Sequence, residues 1–328
     1  MYDMIIVGGG PAALSAALYA LSKNLDVVML YDQLGGQVGW HPVGPDIDQF
    51  SADARRRQTH DQPDLPGDRL LRLLVEATTE QPGRIVHDRA LTIDRGINML
   101  RVDTQAHGVL ETATVVMATG AAPVTLKVPG AARLTMHGLG YSVRTYAHLV
   151  TGKPVAVIGS TLRALRGTAE LARIAERVYV VAPYPGALET PLGQALADRP
   201  NIELLQHYHV KELVGINRLE EVIIARDGDT RRLHVAHAFV DLGLVPNSQA
   251  VQRLGVTNSA GFIEVDRQNA TTVPGLYAAG DVTTAAGEQV LVAIGDGARA
   301  AMSGYDYLLA RWLAGAVQER AVGGEGSN

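Results

Sequence analysis

A glycine-rich turn near the start of the chain joins a short apolar run to a stretch rich in alanine and leucine. The apolar run covers residues 4–7, and the alanine- and leucine-rich stretch extends to Ser22. A second apolar run, residues 26–30, ends close to Asp32. A buried strand, a tight turn, a helix and a second strand in this order predict a βαβ unit. The sequence therefore predicts an α/β fold.

The small residues of this turn have the spacing of a dinucleotide-binding motif. Gly8 permits the tight turn, Gly10 lets a pyrophosphate approach the backbone, and Ala13 allows the helix to pack closely on the strand. The N-terminus of the helix then presents free N–H groups to phosphates. The predicted pyrophosphate site comprises Gly8, Gly10, Pro11, Ala12 and Ala13.

The residue that follows the second strand supports this interpretation. Asp32 lies 24 residues after Gly8, where an acid accepts hydrogen bonds from ribose hydroxyls. Tyr31 is the weaker candidate for the same role. A purely structural turn is the alternative for the glycines alone, but the strand, helix and acid together favour nucleotide binding.

The same arrangement returns about 150 residues later. Residues 154–158 predict a strand, Gly159-Ser160-Thr161 the turn, residues 162–175 a helix and residues 178–181 the next strand. This recurrence predicts two nucleotide-binding-like domains.

Composition excludes several classes of function. The chain has no cysteine, so it cannot form a disulfide, a thiolate nucleophile or a cysteine-bound metal centre. A net charge of −5 provides no general attraction for nucleic acid. No apolar run reaches the about 18 residues of a membrane span, and Asp3 stands where a signal peptide has a basic residue, so we expect a cytoplasmic protein. His207 and His209 alternate along a predicted strand, with no metal-like spacing, and we expect them to be exposed.

Four further motifs follow in order along the chain. They are Gly35-Gly36-Gln37, Ala118-Thr119-Gly120-Ala121, Gly243-x-x-Pro246-Asn247 and the segment from Thr272 to Val282 that contains Gly280-Asp281. With the first glycine motif, they resemble the thioredoxin reductase family of FAD-containing pyridine-nucleotide oxidoreductases over nearly the whole chain. The resemblance implies an α/β fold with two Rossmann-like, three-layer domains. The implied FAD domain is discontinuous, residues 1–119 and 245–328, and the inserted domain covers residues 120–244.

The resemblance also implies roles for individual residues. Gly36 and Gln37 would lie against the flavin, and Asp281 would bind the ribityl chain. The helix that opens at Gln289 would direct its positive end at a reduced flavin; an ordinary helix N-terminus is the alternative. The implied FAD-binding residues are Gly8, Gly10, Pro11, Ala12, Ala13, Tyr31, Asp32, Gly35, Gly36, Gln37, Ala118, Thr119, Gly120, Gly280, Asp281, Glu288, Gln289 and Val290.

The sequence departs from the family at the redox-active cysteines and at the pyridine-nucleotide motif. The redox-active Cys-x-x-Cys should precede the strand at residues 154–158, but residues 140–148 contain no thiol. Thr161 replaces the second glycine of the nucleotide motif, and residues 181–185 lack both an arginine pair and an acid. The sequence therefore predicts neither dithiol chemistry nor conventional NADPH binding.

The inserted domain leaves two interpretations open. A second flavin nucleotide would use Gly159, Ser160, Thr161, Leu162 and Arg163, with its adenine against Tyr184; alternatively, these residues are an ordinary surface. The basic residues 55–57 would allow an acidic electron carrier or a nucleotide phosphate to dock, and an ordinary solvated loop is the alternative. The resemblance implies ferredoxin as such a carrier, since some family members take electrons from it. The sequence thus predicts a homodimeric FAD-dependent oxidoreductase. A diaphorase that uses NAD(P)H and a flavin-binding sensor without catalysis are the alternatives.

Overall fold

The structure is a computed structural model, and it describes residues 1–36, 73–78, 84–143, 147–285 and 287–324. Contacts divide the chain into two compact units. Unit 1 comprises Met1–Ala122 and Val245–Asn328, and unit 2 comprises Pro123–Leu244. The expected flavin contact Gln37, and the stretch from residue 40 to residue 67, lie outside the described residues.

Each unit combines helices with a sheet that contains parallel strands, which confirms the predicted α/β class. The strands are β1 (Tyr2–Val7), β2 (Val27–Tyr31), β3 (Arg84–His87), β4 (Ala90–Arg95), β5 (Leu100–Thr104), β6 (Gly108–Met117), β7 (Ala121–Pro123), β8 (Leu139–Gly140), β9 (Pro154–Ile158), β10 (Arg177–Ala182), β11 (Ile202–Gln206), β12 (His209–Val214), β13 (Glu221–Arg226), β14 (Asp229–His234), β15 (His237–Val240), β16 (Leu244–Pro246) and β17 (Leu276–Ala278). The labelled helices are α1 (Pro11–Ser22), α2 (Ala131–Leu134), α3 (Leu162–Leu171), α4 (Pro191–Ala197) and α5 (Val290–Gly324).

The main sheet of unit 1 has its described strands in the order β3-β2-β1-β6-β5-β4. Strands β3, β2, β1 and β6 are parallel. The first half of β6 pairs with antiparallel β5, and the last three residues of β6 pair with parallel β17. Apolar side chains fill both faces of β1, since Met4 and Ile6 belong to one core cluster and Ile5 and Val7 to another. This two-sided burial is typical of a parallel sheet between helical layers.

Two long-range contacts join α1 to α5. Ser15 donates a hydrogen bond from Oγ to the carbonyl of Ile294 at 2.8 Å. A Cβ built on Gly297 would lie only 2.0 Å from the carbonyl oxygen of Ala12, so the two helices approach each other closely at this glycine. The alanines of α1 allow this approach because they present little more than a methyl group.

Unit 2 contains a second, parallel sheet and a separate antiparallel one. The parallel sheet has the order β11-β10-β9-β15-β8, and the antiparallel sheet has the order β12-β13-β14. Asp227 and Gly228 join β13 to β14, with φ values of +47° and +87°. Two successive positive φ values are those of the tight hairpin turn that Asp-Gly favours.

Helix α5 continues to Gly324. Among the described residues, none of the helices combines the length and the hydropathy that a membrane span needs.

Candidate functional site

The carboxyl ends of four parallel strands meet at one edge of the sheet of unit 1. Strands β1, β2, β6 and β17 run in the same direction there. In such sheets ligands bind beyond the carboxyl ends of the strands. The first residues beyond these four strands include Gly8, Asp32, Ala118 and Ala279, so the predicted motifs from distant parts of the chain lie along one edge.

Gly8 lies where the backbone leaves β1 and no side chain fits. Its φ is +134°, and a Cβ there would lie 2.2 Å from the carbonyl oxygen of Ala118. The Gly8 N–H donates to the carbonyl of Leu30 at 2.8 Å. The first glycine of the motif is therefore required by the fold itself, because it brings β1, β2 and the end of β6 together.

Gly10 differs from Gly8 because a Cβ there would make only an ordinary van der Waals contact. Its φ is −83°, and the nearest atom to a Cβ built there is the Cα of Gly36, at 3.8 Å. Gly10 is the N-cap of α1, with no side-chain hydrogen bond to cap the helix, and Pro11 occupies the first turn. The first-turn N–H groups of Ala12 and Ala13 have no partner within an α-helix. An anion such as a pyrophosphate fits this position, where a larger residue than glycine would project.

The Gly280-Asp281 turn lies against the start of α1. A Cβ built on Gly280 would lie 3.2 Å from Cβ of Ala12 and 3.5 Å from Cβ of Ala293. The most specific motif of the resemblance is therefore placed between α1 and the first turns of α5. Asp281 lies within this turn, in a short 3-10 helix.

Thr119 and Gly120 are held by one residue from a later segment. Thr119 Oγ1 donates to the carbonyl of Asn247 at 2.6 Å, and Asn247 Nδ2 donates back to the carbonyl of Thr119 at 3.0 Å. The N–H of Asn247 also donates to the carbonyl of Gly120 at 2.9 Å. Asn247 thus fixes the turn that borders the site, a positioning role that we did not assign from the sequence.

The two ribose candidates at the end of β2 differ in exposure. Tyr31 is only 4% exposed and its ring packs 5.5 Å from that of His87. Asp32 is exposed, immediately beyond the strand. Gly35 approaches the glycine turn, since its N–H donates to the carbonyl of Gly9 at 2.8 Å. Asp32 therefore has the accessibility that a ribose ligand needs, and Tyr31 belongs to the core.

Helix α5 begins at the predicted motif. Gln289 accepts the N–H of Ala293 at 2.9 Å through its carbonyl, which is the first hydrogen bond of the helix. Its side-chain amide donates to the carbonyl of Glu288 at 2.8 Å. Both residues are exposed, and Val290 is partly buried. The positively polarised N-terminus of α5 thus lies at residues 288–290. Ala293, one turn further along this helix, lies beside Gly280.

A buried carboxylate beneath the Gly280 turn escaped the sequence analysis. Asp296 is 6% exposed and accepts a hydrogen bond from the N–H of Gly280. Burial raises the pKa of Asp296, although the neighbouring Arg299 guanidinium, 3.3 Å away, opposes that shift. Asp296 therefore helps to hold the turn from below. Its position two turns into α5 is not marked by any local pattern.

The corresponding turn of unit 2 is occupied by the side chains of the chain itself. Thr161 Oγ1 accepts the N–H of Ala164 and donates to Oδ1 of Asp241, each at 3.0 Å. Arg163 forms two hydrogen bonds to the same carboxylate, Nε to Oδ2 at 2.7 Å and Nη2 to Oδ1 at 3.0 Å. The N-terminus of α3 is thus already capped, and Arg163 is engaged by Asp241.

The other residues suggested for a second nucleotide border this turn. A Cβ built on Gly159 would lie 2.0 Å from the carbonyl oxygen of Asp241, so this glycine has the same structural role as Gly8. Ser160 Oγ donates to the carbonyl of Tyr184 at 2.7 Å. Leu162 is 45% exposed and Tyr184 is 72% exposed. Of these residues, only Tyr184 offers an accessible aromatic face.

Comparisons with known proteins agree with this geometry. The curated NADH dehydrogenase of Ferdinandcohnia aciditolerans is 30% identical over 313 residues, which is 94% of this chain and 58% of that protein. A component of the alkyl hydroperoxide reductase of Staphylococcus epidermidis is 30% identical over 312 residues, 94% of this chain and 59% of that protein. The chain therefore spans a little over half the length of these curated relatives.

The similar solved structures include a thioredoxin reductase from Streptococcus pyogenes, with a TM-score of 0.80 and 27% identity over 94% of this chain and 99% of that one. This similarity confirms the predicted two-domain Rossmann-like fold. The family model described as pyridine nucleotide-disulphide oxidoreductase matches residues 2–297. The glycine turn at Gly8–Ala13, the Gly280-Asp281 turn and their common edge of the sheet are thus those of a family member: the chain belongs to the pyridine nucleotide-disulphide oxidoreductase family.

Proposed function

We propose that the protein is an FAD-dependent oxidoreductase whose electrons pass through the flavin without a redox-active disulfide. The observation that carries this proposal is that the fold has room for a Cβ at position 10 and yet the chain has glycine there. The fold forces glycine at position 8, but a Cβ at position 10 would meet the protein only at 3.8 Å. A glycine that the fold does not need, at an uncapped helix N-terminus, is explained by a ligand that approaches the backbone.

Several described residues have the chemistry that the groups of FAD require. The N–H groups of Ala12 and Ala13 would bind the pyrophosphate, and the exposed carboxylate of Asp32 would accept hydrogen bonds from the adenosine ribose. Asp281 would bind on the flavin side, and the positive end of α5 would favour negative charge there. When bound, FAD supplies hydride or electron transfer through its isoalloxazine ring, and the protein supplies orientation and electrostatics.

The absence of cysteine sets the route of the electrons. Thiol–disulfide exchange needs an attacking thiolate, and the chain has none. A disulfide is therefore excluded as the acceptor of electrons from the flavin. For the donor, we propose a reduced carrier of the ferredoxin type. The geometry of unit 2 supports this, since the pyrophosphate of a pyridine nucleotide would have to approach α3 beside the Asp241 carboxylate. The same contacts disfavour a second flavin nucleotide at Gly159–Arg163, and we expect about one FAD per chain. A homodimer remains our expectation.

A diaphorase-type reaction with NADH is the second candidate. The names of the relatives favour it, because the protein from F. aciditolerans is called an NADH dehydrogenase. In this case the nicotinamide would reach the flavin although the nucleotide turn of unit 2 is capped by Thr161.

Flavin content and reduction test these proposals in two steps. The purified protein is denatured, and the released flavin is identified and counted per chain. The holoprotein is then titrated without oxygen with NADH, NADPH and reduced ferredoxin while the flavin absorbance is followed. Rapid bleaching by ferredoxin alone supports the main proposal, and rapid bleaching by NADH supports the diaphorase. A protein reconstituted with FAD that retains no flavin contradicts both.

A pair of glycine variants separates cofactor binding from folding. Gly10→Ala should leave the fold intact and weaken FAD binding about tenfold or more, since the added methyl displaces the pyrophosphate from its N–H donors. Gly295→Ala is the matched control, because nothing lies within 4 Å of its added Cβ on the exposed face of α5. Equal FAD retention by the two variants would contradict the assignment of the pyrophosphate site.

A further inference from the structure

A buried polar network joins the Gly280-Asp281 turn to α5. Its central member is Asp296, whose side chain is only 8% exposed and whose carboxylate accepts the N–H of Gly280. The other members are Arg299, one turn further along α5, and Asn269, which is 2% exposed. We define the turn network by the side chains of Asp296, Arg299 and Asn269. A buried carboxylate is costly unless it is paired and hydrogen-bonded, so the partners of Asp296 determine whether it can stay there.

Arg299 links the two buried members of the network. Its Nη1 lies 3.3 Å from Oδ1 of Asp296 and donates to Oδ1 of Asn269 at 3.4 Å. The side chain of Arg299 is 50% exposed. The guanidinium therefore gives the buried carboxylate a counter-charge and remains partly hydrated itself.

Asn269 fixes the strand that leads into the turn. Its Nδ2 donates to the carbonyl of Ala278 at 2.9 Å, and its own carbonyl accepts the N–H of Ala278 at 3.0 Å. Asn269 has a φ of +59°, a left-handed conformation in which asparagine is enriched. Ala278 is the last residue of β17, two residues before Gly280. The turn network thus holds the chain at Ala278 as well as at Gly280.

Both polar groups of the Gly280 backbone are engaged by side chains. The N–H donates to Asp296, and the carbonyl accepts the hydroxyl of Thr283 at 2.8 Å. Thr283 lies only three residues along the chain, whereas Asp296 belongs to α5. The hydrogen bond from Asp296 is therefore the one that ties the turn to a long helix.

The residue that follows Asp296 contacts the other part of the proposed cofactor site. A Cβ built on Gly297 would lie 2.0 Å from the carbonyl oxygen of Ala12, in the first turn of α1. Residues 296 and 297 of α5 thus engage the Gly280 turn and the start of α1, respectively. Because one helical turn holds both, it sets the position of each relative to the other.

We propose that Asp296 is a positioning residue of the FAD site: the turn network holds Gly280, and with it the Asp281 carboxylate that follows, in the place that bound FAD requires. This inference rests on the proposed function, since it takes Asp281 as a ligand on the flavin side. Asp296 acts through the turn and not by contact with the cofactor. A ligand group that is already held in place loses less conformational freedom on binding, so its support contributes to affinity.

Two measurements on the full chain test this proposal. Hydrogen exchange, read by mass spectrometry over residues 276–285, reports how firmly the turn is held. Release of FAD from the purified holoprotein on dilution gives its dissociation constant. Asp296→Leu removes the acceptor at similar volume, and it should speed exchange in this segment and weaken FAD binding about tenfold. Asp306→Leu is the matched control, because Asp306 is exposed on the same helix, and it should change neither quantity.

Two further variants separate positioning from a general loss of stability. Asp296→Asn should restore most of the FAD affinity, because the amide oxygen can still accept the N–H of Gly280. In the Asp281→Ala background, Asp296→Leu should weaken FAD binding by less than about twofold more, since no carboxylate remains to be positioned. A general loss of stability would be rescued by neither change.

Several results would overturn the proposal. Unchanged exchange in Asp296→Leu would show that Asp296 does not hold the turn, and fully additive losses with Asp281→Ala would show that it does not act through Asp281. Tight FAD binding by wild type that Asp296→Leu leaves unaltered contradicts this inference alone, whereas a wild-type chain that binds no FAD contradicts the proposed function as well. Thermal melts identify misfolding; if Asp296→Leu does not fold, Arg299→Met removes the half-exposed counter-charge and should act in the same direction, to a smaller extent.

Discussion

Removing the Arg163 guanidinium should destabilise unit 2 more than removing the Asp241 carboxylate with which it pairs. Arg163 binds this carboxylate with two hydrogen bonds, at 2.7 and 3.0 Å. The two partners differ in exposure, because the side chain of Arg163 is 30% exposed and that of Asp241 only 10%. A charge that can reach water tolerates the loss of its partner better than one that cannot.

The magnitudes follow from this asymmetry. Breaking a fully buried ion pair from one side costs about 3–5 kcal/mol. In Arg163→Met, the Asp241 carboxylate keeps the hydrogen bond from the Thr161 hydroxyl and its side chain is already 10% exposed, so we expect a loss of about 2–3 kcal/mol. In Asp241→Leu, Arg163 turns towards solvent, and we expect a loss of about 1 kcal/mol. The double variant should lose about 1–2 kcal/mol less than the two single losses together.

Hydrogen exchange read by mass spectrometry is the suitable assay, because a chain of two units need not unfold in one step. The protection of peptides from β9 and α3 is followed against urea for each variant. Arg177→Met is the control: its side chain is 45% exposed, and its partner Glu203 keeps a second arginine, Arg231. This exposed pair should contribute less than about 1 kcal/mol.

The reasoning is refuted by either of two results. If Asp241→Leu destabilises unit 2 as much as Arg163→Met, exposure does not determine the cost of breaking the pair. If Arg163→Met differs from the Arg177→Met control by less than about 0.5 kcal/mol, the pair with Asp241 is no stronger than a surface ion pair.

Three further predictions concern pH and packing. Burial alone would raise the pKa of Asp88, but hydrogen bonds from His107 and from nearby backbone and hydroxyl groups hold that pKa at about 2. The stabilisation by this carboxylate should therefore be lost as the pH falls from about 4 to about 2. The difference in urea midpoint between wild type and Asp88→Asn should close over that range, and a constant difference would refute this. Burial lowers the pKa of His237, whose Nδ1 has no hydrogen-bond partner among the described residues, so folding favours the neutral ring. Stability should therefore fall as the pH drops below 6.5. In His237→Leu the urea midpoint should fall less with pH, and an unchanged slope would contradict this prediction. Gly297→Ala places its Cβ 2.0 Å from a backbone oxygen of α1 and should lower the melting temperature by several degrees, about 1–3 kcal/mol; an unchanged melting temperature would show that the helices separate freely.

The sequence was most informative where neighbouring residues determine the structure. The turn at Gly8–Ala13 and its repeat at Gly159 could be predicted because a buried strand, a glycine and an alanine-rich helix follow one another directly. The glycine and alanine residues of these motifs also indicated where a ligand or a neighbouring element approaches the backbone closely. The lack of cysteine removed the dithiol mechanism without any reference to structure.

Contacts between distant residues could not be predicted in this way. The partner of Thr161 is Asp241, 80 residues later, and the two meet only because β9 and β15 are neighbours in the sheet of unit 2. Asn247 and Thr119 are 128 residues apart, and they meet because the neighbouring strands β16 and β7 pair. Strand order is a property of the packed sheet, and a single sequence does not show it.

The sequence by itself therefore determined the α/β class, the two glycine turns and the impossibility of thiol chemistry, since these depend on composition and short spacing. The tertiary structure decided which residues meet at each turn. It left the N-terminus of α1 without a side-chain cap and capped that of α3 with the hydroxyl of Thr161, which in turn donates to Asp241. The physical reason is that a free helix N-terminus binds whichever acceptor the fold brings to it, and only the packed sheets determine whether that acceptor is a ligand or a side chain.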